Sequence, residues 1–154
     1  KEMDYQTLLL LASLFVVIQG ITSAGVIDKL AEVLVSLGGG NLFLMYTVIV
    51  FASVLISAVV DNIPYVLTML PVVTGVAQAM GVEPYVLYFG LLVGATLGGN
   101  ITPIGASANI TGIGILRKEG HEVRAKDFMK ISVPFTLTAV LSGYLFIWIF
   151  WGLL

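Results

Sequence analysis

Two short polar segments, set in an otherwise apolar chain, hold the side chains whose chemistry could define a function. The first is Asp61-Asn62, followed by Pro64, and Asp61 is the only charged residue between Glu32 and Glu83. The second is LGGNITPIGASANITG, residues 97–112, which places hydroxyl and amide side chains among glycines and a proline. Hard oxygen ligands and carbonyl groups freed at helix breaks bind small cations such as Na⁺. The sequence therefore predicts a cation site built from both segments.

The predicted cation ligands carry side-chain or freed backbone oxygens: Ser57, Asp61, Asn62, Gly99, Asn100 and Thr102. Of these, Asp61, Asn62 and Thr102 are the predicted direct ligands of Na⁺. Ser57 precedes Asp61 by about one helical turn, so we expect both oxygens on one helix face.

An anion could lie beside that cation, because new helices are expected to begin near Pro64 and Ala106. A helix N-terminus presents free N–H groups and the positive end of the helix dipole. The predicted substrate-binding residues are Asn62, Thr102, Pro103, Ser107 and Asn109. A purely structural interpretation stays open, in which Asp61 only caps the helix that starts near Pro64.

Composition places these segments in a membrane. The chain is 58% hydrophobic and 10% charged, whereas soluble domains carry about a quarter charged residues. A net charge of -2 argues against nucleic acid as a partner, and no cysteine is present to form disulfides. Because the sequence opens with Lys1 and shows no signal peptide, we expect a fragment or a processed chain.

The apolar windows predict one all-α membrane domain over residues 1–154. About 20 apolar residues cross a bilayer as a helix, and irregular backbone at membrane depth occurs only inside protein or along a polar cavity. The predicted elements are a span at 1–23, an interfacial amphipathic helix at 24–38, a re-entrant helical hairpin at 42–81 with its tip at 61–64, a broken helix at 84–117 unwound at about 98–106, a loop at 118–130 and a final span at 131–154.

Catalytic chemistry finds little support in the sequence. GGNITPIG has no GK[ST] and follows no soluble strand, so it is not a P-loop. An intramembrane aspartyl protease would need a second acid, and Asp61 is alone in the apolar windows. His121 lies in the charged loop and is interpreted as solvated. We therefore expect no enzyme activity and no cofactor beyond a coupling ion, Na⁺ or H⁺.

The two motifs together resemble a known family. SAVVDNIPYVLTMLP and LGGNITPIGASANI are similar to the ion transporter superfamily, in the branch of ArsB/NhaD, P-protein and citrate-transporter-like (CitMHS) proteins. The resemblance covers nearly the whole chain as the C-terminal inverted repeat. It implies secondary active transport by alternating access: either cation-coupled uptake or export of a small anion, or Na⁺/H⁺ exchange. A hairpin tip and an unwound segment would form the cation and substrate site.

Individual positions carry that resemblance unevenly. Asn62 and Ser57 match the family's hairpin, and Thr102-Pro103 matches its unwound loop. The dicarboxylate branch has Ser-Asn-Thr at the tip, where this chain has Asp61-Asn62-Ile63. The Asp-Asn tip is more similar to sodium/proton antiporter members, although P-protein-like chains share it. The resemblance therefore leaves the solute open.

Family members contain two such repeats in opposite orientation, whereas this chain holds one. The implied partners are the lipid bilayer and a second inverted repeat, in the same longer chain or on a separate half, with an antiparallel homodimer as the alternative. Two other classes of protein remain. One is a non-transporting scaffold in which Asp61 is a helix cap. The other is an ion channel, but the sequence lacks the rings of pore-lining charge that a channel would need.

Charge distribution predicts orientation in a plasma or inner membrane. Lys29 stands alone on one side, and we expect six basic residues on the other: Lys1, Arg117, Lys118, Arg124, Lys126 and Lys130. Basic residues favour the cytoplasm, so the N-terminus and the 117–130 loop are predicted to be cytoplasmic. Such a bias favours a fixed orientation over the antiparallel homodimer.

Overall fold

A computed structural model describes residues 5–153, leaving Lys1–Asp4 and Leu154 outside the description. Within residues 5–153 the chain is all-α, as the sequence predicts. Its elements are α1 (Tyr5–Ser23), α2 (Val26–Gly38), α3 (Leu42–Ser57), α4 (Asn62–Met80), α5 (Tyr85–Gly98), α6 (Ser107–Lys118) and α7 (Ala125–Ile147), followed by a π-helical turn at Trp148–Gly152.

Helix lengths and surface chemistry fit a membrane. Two helices of the described residues are long and apolar enough to cross a bilayer, namely α4 and the continuous segment Ala125–Gly152. The apolar helices α3 and α5 are shorter, with 16 and 14 residues. Large apolar side chains such as Leu55, Ile131 and Phe135 are exposed, which is costly in water and expected against lipid. Over residues 5–153 the fold class is all-α, with the surface of a membrane protein.

Local sequence signals set the helix ends. Gly39 and Gly40 adopt positive φ angles of 55° and 76° after α2, a conformation that side-chain-bearing residues rarely take. Asn41 then caps α3, since its Oδ1 accepts a hydrogen bond from the Leu44 N–H at 3.1 Å. Gly81, at φ 66°, ends α4 in the same left-handed conformation. The hairpin arms thus begin and end where the sequence supplies caps.

The centre of the domain is the contact between α3 and α5. Gly90, Gly94 and Gly98 lie four residues apart on α5 and face α3. A Cβ atom at Gly94 would collide with the Val50 carbonyl oxygen and lie 2.8 Å from Ser53 Cβ. Small residues at this spacing let two membrane helices approach closely. This row lets α3 and α5 pack closely against each other.

Helix α7 packs across that pair and begins earlier than predicted. The structure continues α7 back to Ala125, through residues assigned from the sequence to the 118–130 loop. Asp127 lies in its first turn, where a carboxylate interacts favourably with the helix dipole. Farther along, the Tyr144 ring stacks on Tyr46 with centroids 5.0 Å apart, and the Tyr46 hydroxyl donates to the Tyr144 carbonyl at 2.8 Å.

Candidate functional site

The two helix breaks meet, and Asp61 joins them directly. Its Oδ1 accepts a hydrogen bond from the Ile63 N–H at 3.2 Å, which makes Asp61 the N-cap of α4. Its Oδ2 accepts from the Ser107 N–H at 3.2 Å, at the first residue of α6. One carboxylate therefore bridges the N-termini of two helices that are distant in sequence. Both helix dipoles stabilise its negative charge.

A second contact closes the junction from the other side. The Thr102 hydroxyl donates a hydrogen bond to the Ala58 carbonyl, one of the groups freed where α3 ends. Gly105 packs against the same turn, because a Cβ atom there would lie 2.8 Å from the Ala58 carbonyl oxygen and 2.9 Å from that of Ser57. Here the glycine is needed for close backbone approach, and it keeps the unwound segment seated on the hairpin tip.

Asn109 organises the unwound segment, which covers residues 99–106. Its Nδ2 donates to the Gly99 carbonyl at 3.0 Å and to the Thr102 carbonyl at 3.0 Å. Those two bonds fold the segment back on α6. Their acceptors are carbonyl oxygens of Gly99 and Thr102, two residues predicted as cation ligands. The amide oxygen of Asn109 has no hydrogen-bond donor among the described residues.

Ser57 occupies a different place from the one expected. Helix α3 ends at Ser57 and Asp61 caps the next helix, so the two oxygens do not share a helix face. The Ser57 side chain is fully buried, and its hydroxyl donates to the Ala95 carbonyl of α5 at 2.6 Å. That hydroxyl fastens the hairpin to α5. The cause is the chain reversal at residues 58–61, which a continuous helical count overlooks.

The remaining predicted residues divide between two sides of the unwound segment. Asn62 is half-buried at the start of α4, and its amide forms no hydrogen bond with residues 5–153. Asn100 lies instead on a cavity shared with Phe128 and Ser132 of α7. Pro103 lines a neighbouring groove with Thr102 and Ile110. Asn62, Asp61 and Thr102 thus lie at the junction, whereas Asn100 faces α7.

Sequence reasoning overlooked one residue that holds this junction. Ser132 of α7 donates its hydroxyl to the Ile101 carbonyl at 2.8 Å, so the unwound segment is fastened on its far side as well. The only sequence signal was a serine two residues before Pro134, inside a segment interpreted as a plain span. The same reasoning passed over the spacing of Gly90, Gly94 and Gly98, which does predict a helix contact.

The donor set at the junction consists of one carboxylate and neutral oxygen atoms. In the part of the chain that the structure describes, no three His, Cys, Asp or Glu residues lie close enough to hold a metal ion. Asp61 is the single acid at the junction, and no basic side chain of residues 5–153 pairs with it. The two N–H groups use one lone-pair site on each carboxylate oxygen, and an ionised carboxylate offers about four. The junction can therefore supply one negative charge and neutral oxygens.

A membrane helical hairpin seated on a broken helix, with polar groups at both tips, defines a transporter repeat. Comparison with known proteins gives the family. The citrate transporter family model, CitMHS, matches residues 1–154. The chain belongs to the CitMHS citrate transporter family, which confirms the resemblance seen in the two motifs.

Relatives in bacteria carry the name of uncharacterized transporters, and relatives in animals include the P protein. An uncharacterized transporter of Mycobacterium tuberculosis strain H37Rv is 34% identical over 151 residues, covering 97% of this chain and 35% of the relative. An uncharacterized transporter of Synechocystis is 31% identical, over 96% of this chain and 36% of the relative. The P protein of Homo sapiens is 30% identical, over 92% of this chain and 18% of the relative.

This chain spans about a third of the length of the bacterial relatives and less of the P protein. No solved structure matches it.

Proposed function

We propose that the chain is one repeat of a secondary active transporter in which Asp61 binds the coupling cation, Na⁺ or H⁺. The observation that carries this proposal is the position of the Asp61 carboxylate. It bridges α4 and α6 at 3.2 Å to each N–H group, and it has no basic partner among residues 5–153. A carboxylate inside a membrane protein is costly without compensation, and a bound cation supplies the missing charge.

Neighbouring groups extend this site toward a substrate. The Asn62 amide, with no partner among the described residues, can bind either an anion or a cation, because it both donates and accepts. The starts of α4 and α6 converge at Asp61, and helix N-termini attract anions once a cation neutralises the acid. We propose a small anion as the solute, with citrate as the first to test because of the family's description. Na⁺/H⁺ exchange is the alternative.

A complete transporter requires a second half. This chain covers about 35% of its bacterial relatives, so we propose that an inverted repeat, in the same longer chain or on a separate half, completes the site. The cytoplasmic position of the 117–130 loop is part of this proposal, and Lys1, which contributed to the orientation prediction, lies outside the described residues. Labelling of tags at both ends in intact cells tests orientation. Equal labelling of one end from both sides would favour the antiparallel homodimer.

The test of cation binding is the melting temperature of the purified protein in detergent, measured in NaCl and in choline chloride across pH. A ligand that binds only the folded state stabilises it by about 2.7 kcal/mol at a hundredfold excess over its dissociation constant. We expect Na⁺ to raise the melting temperature relative to choline. Asp61→Asn should abolish that increment, whereas Asp28→Asn, an acid in the first turn of α2, should retain it.

Asp61→Asn also removes a hydrogen-bond acceptor, so the stability of the variant without Na⁺ should differ from that of the parent protein. An asparagine offers one side-chain oxygen, and Asp61 accepts from two N–H groups on two oxygens. The variant should lose about 1–2 kcal/mol in choline chloride through the lost cap alone. If that loss is the whole effect and the Na⁺ increment survives, Asp61 is not the cation ligand.

The bridging geometry also favours a second candidate, a non-transporting scaffold in which Asp61 is a double helix cap. In that case Na⁺ would change the melting temperature of the parent protein no more than choline does. Flux of labelled citrate or Na⁺ into liposomes that contain the complete assembly separates transport from scaffolding.

A further inference from the structure

The loop between α6 and α7 forms an open cavity of about 630 Å³, which is separate from the Asp61 junction. Its lining residues include Arg117 at the end of α6, His121 and Glu122 in the loop, and Arg124 immediately before α7. Neither arginine side chain forms a hydrogen bond or ion pair with any residue of 5–153. Two unpaired arginines and one glutamate leave one excess positive charge at neutral pH.

A helix end adds to the attraction for an anion. Arg124 is the N-cap of α7 and has an extended backbone, and its side chain makes no capping hydrogen bond. Asp127 and Phe128 donate their N–H groups to the Arg124 carbonyl at 3.1 Å, whereas the N–H groups of Ala125 and Lys126 have no acceptor among the described residues. Arginine guanidinium groups bind phosphate oxygens in a bidentate manner. The cavity has the charge and donors to hold one phosphodiester.

An apolar groove continues from the same cavity. It has a volume of about 570 Å³ and shares Arg117, Val123 and Ala125 with the charged cavity. Its other walls are mainly apolar side chains of α6, the unwound segment and α7, among them Ile104, Ile110, Ile113 and Met129, and Thr102 also lines it. Arg117 thus lies where a charged compartment passes into an apolar one, the arrangement that an amphipathic ligand requires.

We propose that this composite pocket binds an anionic phospholipid. The phosphodiester lies between Arg117 and Arg124, and an acyl chain follows the groove between α6 and α7. A free phosphate or another small anion would use only the charged half, whereas the continuous groove matches a lipid tail. Basic pockets at the ends of membrane helices are known to select anionic headgroups. This site does not depend on the proposed transport activity.

Such a lipid would act on the helix that the protein itself packs least. Ile113 is the single buried residue of α6, whereas Ile110, Ile115 and Leu116 are exposed. The N-terminus of α6 is fixed by Asp61, and its C-terminus carries Arg117. A phospholipid held at Arg117 would therefore steady the free end of α6 and, through it, the unwound segment.

Native mass spectrometry of the detergent-purified protein tests this proposal without any variant. Phosphatidylglycerol should bind in preference to phosphatidylcholine, and inorganic phosphate should not displace it at matched concentration. Equal binding of the two lipids would show that the headgroup charge is not recognised. Displacement by inorganic phosphate would show a simple anion site. Either result overturns the proposal.

A matched pair of variants locates the site. Arg117→Gln with Arg124→Gln removes both cavity arginines, and Lys118→Gln with Lys126→Gln removes the same charge from neighbours outside the cavity. The first pair should weaken phosphatidylglycerol binding about 30-fold, the equivalent of ~2 kcal/mol at about one per basic residue. The control should keep most of the affinity. Equal losses in both pairs would mean general attraction to the loop and would refute the pocket.

Discussion

The two arms of the broken helix, α5 and α6, differ in how the protein holds them. On α5, seven residues are buried, and its glycine row lies against the backbone of α3. On α6 only Ile113 is buried, and an added Cβ at Gly112 or Gly114 would meet nothing within 4 Å. Packing fixes α5 along its length, whereas hydrogen bonds fix α6 mainly at its first turn.

Helix α5 is thus closely packed along its length, whereas α6 is attached mainly at its first turn. Close-packed membrane helices gain van der Waals contact along their whole interface, and breaking it costs energy at every turn. Helix α6 is attached through Asp61 and Asn109, so a change in the charge of one carboxylate can release or hold its N-terminus. The cation site proposed at Asp61 therefore lies at the contact that holds the N-terminus of α6.

The strongest test of this comparison introduces the same methyl group on both arms. Gly94→Ala forces a Cβ into the Val50 carbonyl oxygen and Ser53, so we expect a loss of about 3 kcal/mol, the upper end for overpacking. Gly112→Ala on α6 meets no atom within 4 Å and should stabilise by up to about 1 kcal/mol, because alanine favours helix over glycine. Urea or thermal unfolding in detergent measures both, and effects of the same sign would contradict the comparison.

A smaller effect is expected where the unwound segment meets the hairpin tip. Thr102→Val removes the hydroxyl that donates to the Ala58 carbonyl and leaves that carbonyl without a donor, at a cost of about 2 kcal/mol. Thr111→Val is its control, because the Thr111 hydroxyl bonds to Ser107 within the same exposed helix. That change should cost less than about 0.5 kcal/mol. Similar values for the two variants would show that the tip contact contributes no stability.

The smallest expected effect concerns the far side of the unwound segment. Ser132→Ala deletes the 2.8 Å hydrogen bond to Ile101, which joins two elements. Ser142→Ala deletes a bond of the same 2.8 Å length to Thr138 on its own helix. Interhelical hydrogen bonds in membrane proteins average about 0.6 kcal/mol, so we expect that loss for the first variant and almost none for the second.

Hydrogen exchange gives a readout of Ser132→Ala beyond total stability. Exchange of the amides of residues 99–106 should speed up in this variant and remain unchanged in Ser142→Ala. Unchanged exchange in both variants would show that the Ser132 hydrogen bond does not hold the segment.

The sequence by itself determined the class of protein and the places where its helices break. Asp61 and Pro64 in one apolar window, and clustered glycines with Pro103 in another, can be recognised locally because each residue limits the backbone at its own position. That is why the all-α membrane fold and the meeting of the two breaks could be predicted from residue types and spacing. The family was predicted from the resemblance of the two motifs.

Only the tertiary structure decided which partner each polar group takes. Ser57 was predicted to face the site, yet it donates to Ala95, and Asn100 faces α7 instead of the hairpin tip. Asp61 reaches both Ile63 and Ser107 because the chain reverses before it. A hydroxyl or amide can satisfy its hydrogen bonds with any nearby backbone group. The choice depends on which helix lies alongside, and that is a property of the packed fold.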